Sequence, residues 1–354
     1  MSLKVLQAID RLNAGGAERV LVNLANLLKK KGVHVAVCSL LGAGPLDEAI
    51  DSEVEHRRLY RDFKYSLITL FRFHQYANQF DIVHVHMRHN LKYVWLAKFL
   101  YRGSYRIVFH DHYGEIHRDR HAGFFLKLAM KSSTYVGVST VLCDWAQSHG
   151  LPSKRVNALF NTVEKKAYKQ VINPVSPMKL ILVSNFRPQK NLEFAVDLID
   201  HMRMKNEVRL DLFGQFSDNA YFEKIKKMVQ ERGLNEHFRF IHDCTDIQSV
   251  LGHYHCAIHT ATSETGPLVL LEYLAQGLPF LCFRVGEVPE QIISEFPEYV
   301  LDHFDVERWS TSIKALIQEN STTFRKQRIQ FFTQKFSQQE YVNSCLDIYR
   351  RALA

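Results

Sequence analysis

Lys4-Val5-Leu6-Gln7-Ala8-Ile9 leads through Gly15-Gly16 into Ala17–Lys31, which places Val20, Leu21, Leu24, Leu27 and Leu28 at helical spacing. Gly32 then stops the helix, and Val33–Leu40 follows as a second apolar run. A short buried strand, a glycine turn, an amphipathic helix and another strand form a strand–helix–strand unit. Strands joined in this way run parallel, and helices cover both faces of their sheet. The rhythm continues outward. Ile82–His86, Arg106–Phe109 and Tyr135–Val138 read as strands, and Thr140–His149 as a helix ending at Gly150. The fold class is therefore α/β.

A second series starts after Val171-Ile172-Asn173-Pro174-Val175-Ser176-Pro177, whose two prolines and lack of helical pattern read as a linker. Leu180–Ser184, Leu210–Phe213, Phe238–Ile241, Cys256–His259 and Phe280–Phe283 are expected strands. Asn191–Met202 and Asn219–Arg232 are expected helices between them. The chain of 354 residues thus divides into a first domain over 1–170, a linker over 171–178 and a second domain over 179–337. The last helical stretch, 338–354, is expected to pack back on the first domain. Two such sheets place a ligand at the carboxyl ends of their strands.

Composition narrows the function. At 46% hydrophobic and 23% charged, the chain is neither disordered nor a disulfide scaffold. Six cysteines without a C-x-x-C pair fit reduced thiols, and no apolar run approaches the length of a membrane span. The N-terminal run is too short for a signal peptide, so a cytoplasmic location is expected. Residues 1–170 hold 25 Lys/Arg against 14 Asp/Glu, a net of +11, whereas residues 171–354 carry a net of −3. No RNP, KH or zinc-finger pattern accompanies the basic half, so no nucleic-acid partner is expected. Between Arg57 and Phe80 basic residues (Arg57, Arg58, Arg61, Lys64, Arg72) alternate with aromatics (Tyr60, Phe63, Tyr65, Phe71, Phe73). Such a segment suits a helix packed on its own sheet, and also peripheral contact with an anionic membrane.

The chemistry concentrates in Ser263-Glu264-Thr265-Gly266-Pro267-Leu268-Val269-Leu270-Leu271-Glu272. Gly266 suits a tight turn, and Pro267 suits the first turn of a helix. The free amides of Leu268 and Val269 would then form a phosphate site at the helix start. Glu264 and Glu272 bracket that start. One carboxylate can hold sugar hydroxyls and the other a ribose diol. Hydroxyls, diphosphate and ribose in sequence make a nucleotide sugar.

This pair of glutamates, with Ala275-Gln276-Gly277-Leu278-Pro279 and later Gly286 and Pro289-Glu290, resembles the signature of the family 4 retaining glycosyltransferases. The resemblance covers nearly the whole chain. It implies a GT-B architecture: two Rossmann-like domains facing each other across a deep cleft. It also implies a UDP- or GDP-linked sugar donor, a saccharide or lipid-linked acceptor, and a role in surface polysaccharide or lipopolysaccharide synthesis. Ser184-Asn185-Phe186-Arg187-Pro188-Gln189-Lys190 is similar to the family loop whose Arg and Lys neutralise the donor diphosphate. The family often has its Arg where this chain has Asn185, and Arg187 stands in for it. Gly15 and Gly16 match the glycine-rich loop on the donor side. His112, beside His110, matches the histidine that serves the reaction centre. The resemblance thus implies Glu264, His112, Lys190 and Arg187 as catalytic, and Gly15, Gly16, Glu272, Gly266, Pro267, Leu268 and Val269 as donor-binding. No cofactor is implied. With no Asp-x-Asp dyad and no clustered His/Cys spacing, no metal site is expected. A GT-B epimerase, or a non-catalytic sugar-nucleotide-binding partner of another transferase, would share these residues.

Overall fold

The computed structural model describes residues 3–61, 63, 66–168, 176–215, 218–244 and 246–354. Most of the expected linker, together with Lys64 and Tyr65, lies outside them. The chain forms two compact units. Residues 1–162 and 338–354 make the first, and 163–337 the second.

The strands of the first unit are β1 (Lys4–Ile9), β2 (His34–Ser39), β3 (Glu55–Arg58), β4 (Ile82–His86), β5 (Arg106–Asp111), β6 (Thr134–Gly137) and β7 (Val156–Ala158). Its helices are α1 (Gly16–Lys30), α2 (Leu67–Ala77), α3 (Arg88–Tyr101), α4 (Phe124–Lys131) and α5 (Thr140–Ser148). The sheet order is β3-β2-β1-β4-β5-β6-β7, with every pair parallel. Helices on both faces account for the burial of β1, where all of Val5–Ile9 is inside.

The second unit contains β8 (Met178–Val183), β9 (Val208–Phe213), β10 (Phe238–Ile241), β11 (Cys256–His259), β12 (Phe280–Phe283) and β13 (Val300–Leu301). Its helices are α6 (Leu192–Arg203), α7 (Asn219–Glu231), α8 (Gln248–Leu251), α9 (Leu268–Gln276), α10 (Glu287–Ile292), α11 (Val306–Glu319) and α12 (Thr322–Lys335). The parallel order is β10-β9-β8-β11-β12-β13. Lys166 belongs here through an ion pair to Asp246 at 2.7 Å and a bond from the Gln276 side-chain amide to its carbonyl at 2.8 Å.

The last helix, α13 (Gln338–Leu353), completes the first unit. Its buried Tyr349 hydroxyl accepts from the Gln7 side-chain amide at 3.2 Å and lies 2.6 Å from His84 Nδ1. The C-terminal helix is therefore tied to the middle strands β1 and β4.

In each unit the winding reverses at one place, between β1 and β4 and between β8 and β11. There the strand-end loops diverge and leave a crevice at the carboxyl edge of the sheet. Two of these loops carry a non-glycine residue at positive φ, Met87 (+75°) after β4 and Asn191 (+50°) after β8. Such conformations cost energy and cluster at ligand sites.

Candidate active site

In the second unit the loop after β8 carries Arg187 and Lys190, and the loop after β11 carries Glu264, Gly266 and Pro267. Threonines lace the two loops together. The Thr262 amide and hydroxyl donate to the Gln189 carbonyl at 2.8 and 3.2 Å, and the Thr260 hydroxyl donates to the Lys190 carbonyl at 2.8 Å. This brings the Lys190 ammonium onto the Glu264 carboxylate although 74 positions separate them. His259, at the end of β11, lies 3.7 Å from the same oxygen through Nε2. Burial pushes the Glu264 carboxyl up, but the Lys190 charge, with the nearby His259 imidazole, outweighs it and holds it at about 2. Burial also pulls the His259 imidazole below its ordinary value. Arg187 is exposed and caps the short turn Pro188–Lys190.

Pro267 occupies the N-cap of α9, one place before its first helical residue, where the sequence pattern had put it inside the first turn. Pro267 itself makes no side-chain capping bond to the helix start. The amides of Leu268 and Val269 fall in the first turn, which has no intrahelical acceptors. Both residues, like Gly266 and Glu272, are half-buried. Gly286 (φ +80°) packs so closely that a Cβ there would sit 3.2 Å from Pro267 Cδ and 3.3 Å from Glu264 Cβ. At the far end of α9, Arg325 and Arg328 donate to the carbonyls of Gln276 and Gly277 at 3.1 and 2.9 Å. Cations there complement the helix dipole, whose positive end faces the strand-end crevice. Arg328, only 2% exposed, also donates to the Tyr299 hydroxyl at 2.8 Å and to Asn320.

In the first unit Gly15 caps α1 and Gly16 opens it. A Cβ on Gly16 would meet nothing within 4 Å, so space lies open above the helix start. His112, just past β5, is half-buried, with Nε2 3.0 Å from His86 Nδ1. Burial holds His112 down to about 3 and His84 to about 3, and His86 and His110 well below their ordinary value. The base of this loop is tied down by Arg88. Arg88 grips Asp111 through two nitrogens at 3.0 and 2.8 Å, and its guanidinium lies 4.0 Å from the Tyr113 ring centre and 3.9 Å from that of Trp145.

No clustered metal-ligand spacing marks the sequence, yet the sheet brings His84, His86 and His110 together. His-x-His alternation on two apolar strands was the available signal, but strand neighbours cannot be read from spacing. His259 was missed for the same reason. Arg328 was missed because α12 carries no apolar stripe that marks it as buried.

Comparison with known proteins follows the same division. Residues 14–166 match the family model for Glycosyltransferase Family 4, and residues 164–331 match that for Glycosyl transferases group 1. N-acetyl-alpha-D-glucosaminyl L-malate synthase of Bacillus anthracis is 25% identical over 171 residues, 46% of this chain and 44% of that protein. The alpha-1,3/1,6-mannosyltransferase of Homo sapiens is 22% identical over 183 residues, 48% and 44% of the two chains. The matched stretches thus span less than half the length of these relatives. Among solved structures, Anabaena HepE in complex with UDP and glucose superposes with a TM-score of 0.81 at 16% identity, covering 98% of both chains. The lipopolysaccharide outer core galactosyltransferase WaaB superposes at 0.71, with 16% identity over 98% of this chain and 99% of that one. These likenesses establish the GT-B fold. With its two halves matched in order by the two glycosyltransferase models, the chain is family 4 glycosyltransferase-like.

Proposed function

We propose that the protein moves a monosaccharide from a UDP- or GDP-linked donor to a saccharide or lipid-linked acceptor, with retention at the anomeric carbon. The observation that carries this reading is the Lys190–Glu264 pair beside the start of α9. A pre-formed cation and a helix N-terminus suit a diphosphate, and a carboxylate held at about 2 accepts hydrogen bonds from sugar hydroxyls at any physiological pH. HepE, which shares the fold, binds UDP and glucose.

In this reading the acceptor oxygen bonds to the anomeric carbon on the face from which the diphosphate departs. The acceptor proton passes to the leaving phosphate oxygen. Lys190, Arg187 and the amides of Leu268 and Val269 take up the charge on the leaving group, with no metal at the diphosphate. Gly266 and Pro267 shape the turn, Glu272 holds the ribose, Glu264 orients the sugar, and His112 serves the reaction centre. Gly15 and Gly16 let backbone approach the donor.

A membrane-side acceptor is supported by apolar side chains exposed in the first unit: Leu67, Ile68 and Phe71 on α2, Phe99 on α3, and Phe124 and Phe125 on α4. With the basic charge of this half, they suit a peripheral site on an anionic bilayer in surface glycan assembly. Among the described residues no helix is long and apolar enough to cross a membrane. Flotation with anionic vesicles, but not neutral ones, is the expected result, and equal partition would count against it.

Proton NMR of the enzyme with UDP- and GDP-sugars tests the activity without knowledge of the acceptor. Slow transfer to water should release sugar that first appears in the donor's anomeric configuration. Inverted sugar, or a donor epimer with no release, contradicts the reading.

A further inference from the structure

We propose that His84, His86 and His110 hold a transition-metal ion, zinc foremost, inside the first unit. One nitrogen from each of the three lies within 4.8 Å of the others. The placement follows from the sheet. His84 and His86 alternate onto one face of β4, and His86 pairs in register with His110 of β5. All three are fully buried.

Their nitrogens divide into two sets. His84 Nδ1 faces the Tyr349 hydroxyl at 2.6 Å, and His86 Nε2 faces the Gln7 carbonyl oxygen at 2.9 Å. Gln7 in turn donates to Tyr349 at 3.2 Å, which orients its amide. On the other side, His84 Nε2 and both nitrogens of His110 have no hydrogen-bond partner. A buried polar atom left in this state loses its bond to water without replacement, and native proteins rarely tolerate several together. Protons on His84 Nδ1 and His86 Nε2 leave His84 Nε2 and His86 Nδ1 as lone pairs. Metal-binding histidines show this arrangement, with the outer N–H given to an oxygen and the inner nitrogen given to the ion.

Ligand chemistry selects the ion. Three neutral imidazoles without a carboxylate suit zinc, nickel or copper and disfavour magnesium and calcium. Zinc–nitrogen bonds of about 2.0–2.1 Å set tetrahedral ligand nitrogens about 3.3 Å apart, so nitrogens now within 4.8 Å of one another close by up to about 1.5 Å around the ion. His112 Nε2, already 3.0 Å from His86 Nδ1, is the nearest candidate for a fourth ligand. The ion belongs to the sheet of the first unit and takes no part in binding the diphosphate.

The test uses the whole chain, stripped with chelator and titrated with zinc by calorimetry and with cobalt(II) by visible absorption. One equivalent should bind, and cobalt should give the intense bands of a tetrahedral nitrogen site. His110→Ala should abolish these bands, and Gln7→Leu should weaken affinity about 10–100-fold. His117→Ala, at an exposed position, should leave both unchanged. X-ray absorption of the zinc-loaded wild-type chain, which does not depend on any variant folding, should show three imidazole neighbours. Absence of stoichiometric binding, or a spectrum unchanged by His110→Ala, would overturn the proposal and leave ordered water as the partner of these nitrogens. Donor binding in the second unit is a separate readout, so failure here and failure of the transferase reading are distinguishable.

Discussion

The two units share a parallel-sheet plan but bury polar groups in different ways. The second gathers opposite charges at its strand ends, where Lys190 and Glu264 meet beside His259. The first packs imidazoles against one another, with His84 and His86 stacked 4.7 Å apart and His110 and His112 tilted 4.2 Å apart between ring centres. Charges at a sheet edge stay close to water and can exchange one partner for another when a ligand arrives. Rings inside a sheet cannot, and they need partners that come with the fold. In the proposed reading the Lys190–Glu264 pair serves substrate turnover, whereas His84, His86 and His110 belong to the architecture of the first unit.

The sharpest way to break this contrast is Lys190→Ala. Loss of a cation from the leaving group should lower turnover about 10²–10³-fold with donor and acceptor saturating. A loss that appeared only in KM would make Lys190 a binding residue alone.

Acid titration probes the same pair from the side of stability. The Glu264 carboxyl sits at about 2 in the folded chain against 4.5 when free. Its contribution is complete above about pH 4.5 and is lost as pH falls toward 2. The depression corresponds to about 3 kcal/mol. Urea unfolding between pH 5 and 2.5 should show this loss in the wild-type chain, and a flatter profile in Glu264→Gln. Parallel profiles would mean that the pair does not form in solution.

Arg328→Met tests whether α9 depends on its buried cap. The substitution leaves the Gly277 carbonyl, the Tyr299 hydroxyl and the Asn320 side chain without this donor. It should lower stability by about 2–3 kcal/mol in denaturant melts. Gly16→Ala has the smallest expected effect on the fold. Its Cβ would meet nothing within 4 Å, so stability should stay within about 1 kcal/mol of wild type. A clear fall in donor affinity in that stable variant would mark the open space above α1 as a ligand surface.

How much of this was legible in the sequence depends on the range of the interaction. The β1–α1–β2 unit is local, and Val5–Ile9, Gly15-Gly16 and the leucine stripe announced it. The α9 start is local as well, since Gly266 and Pro267 punctuate the chain within a few residues of both glutamates. The expected helix start differed by only one place, because Pro267 keeps a helix-compatible φ of −66° but an extended ψ of 107°, which leaves it just outside. The Lys190–Glu264 contact is not local. It exists because β8 and β11 are neighbours at the winding reversal, and because Thr260 and Thr262 tie their loops. The histidine cluster depends on the register of β4 against β5, which no spacing rule contains. Arg328 looks like any surface arginine until α12 packs it under the end of α9.

Occupation of the Lys190–Glu264 crevice by a sugar nucleotide is the central claim. Thermal shift with UDP-, GDP-, ADP- and dTDP-sugars, repeated on a Lys190→Ala, Glu272→Ala double variant, measures this directly. At about 100 times its dissociation constant, one of these ligands should stabilise the wild-type chain by about 2.7 kcal/mol, and the double variant far less. Equal shifts in the two proteins, or none in either, would contradict it.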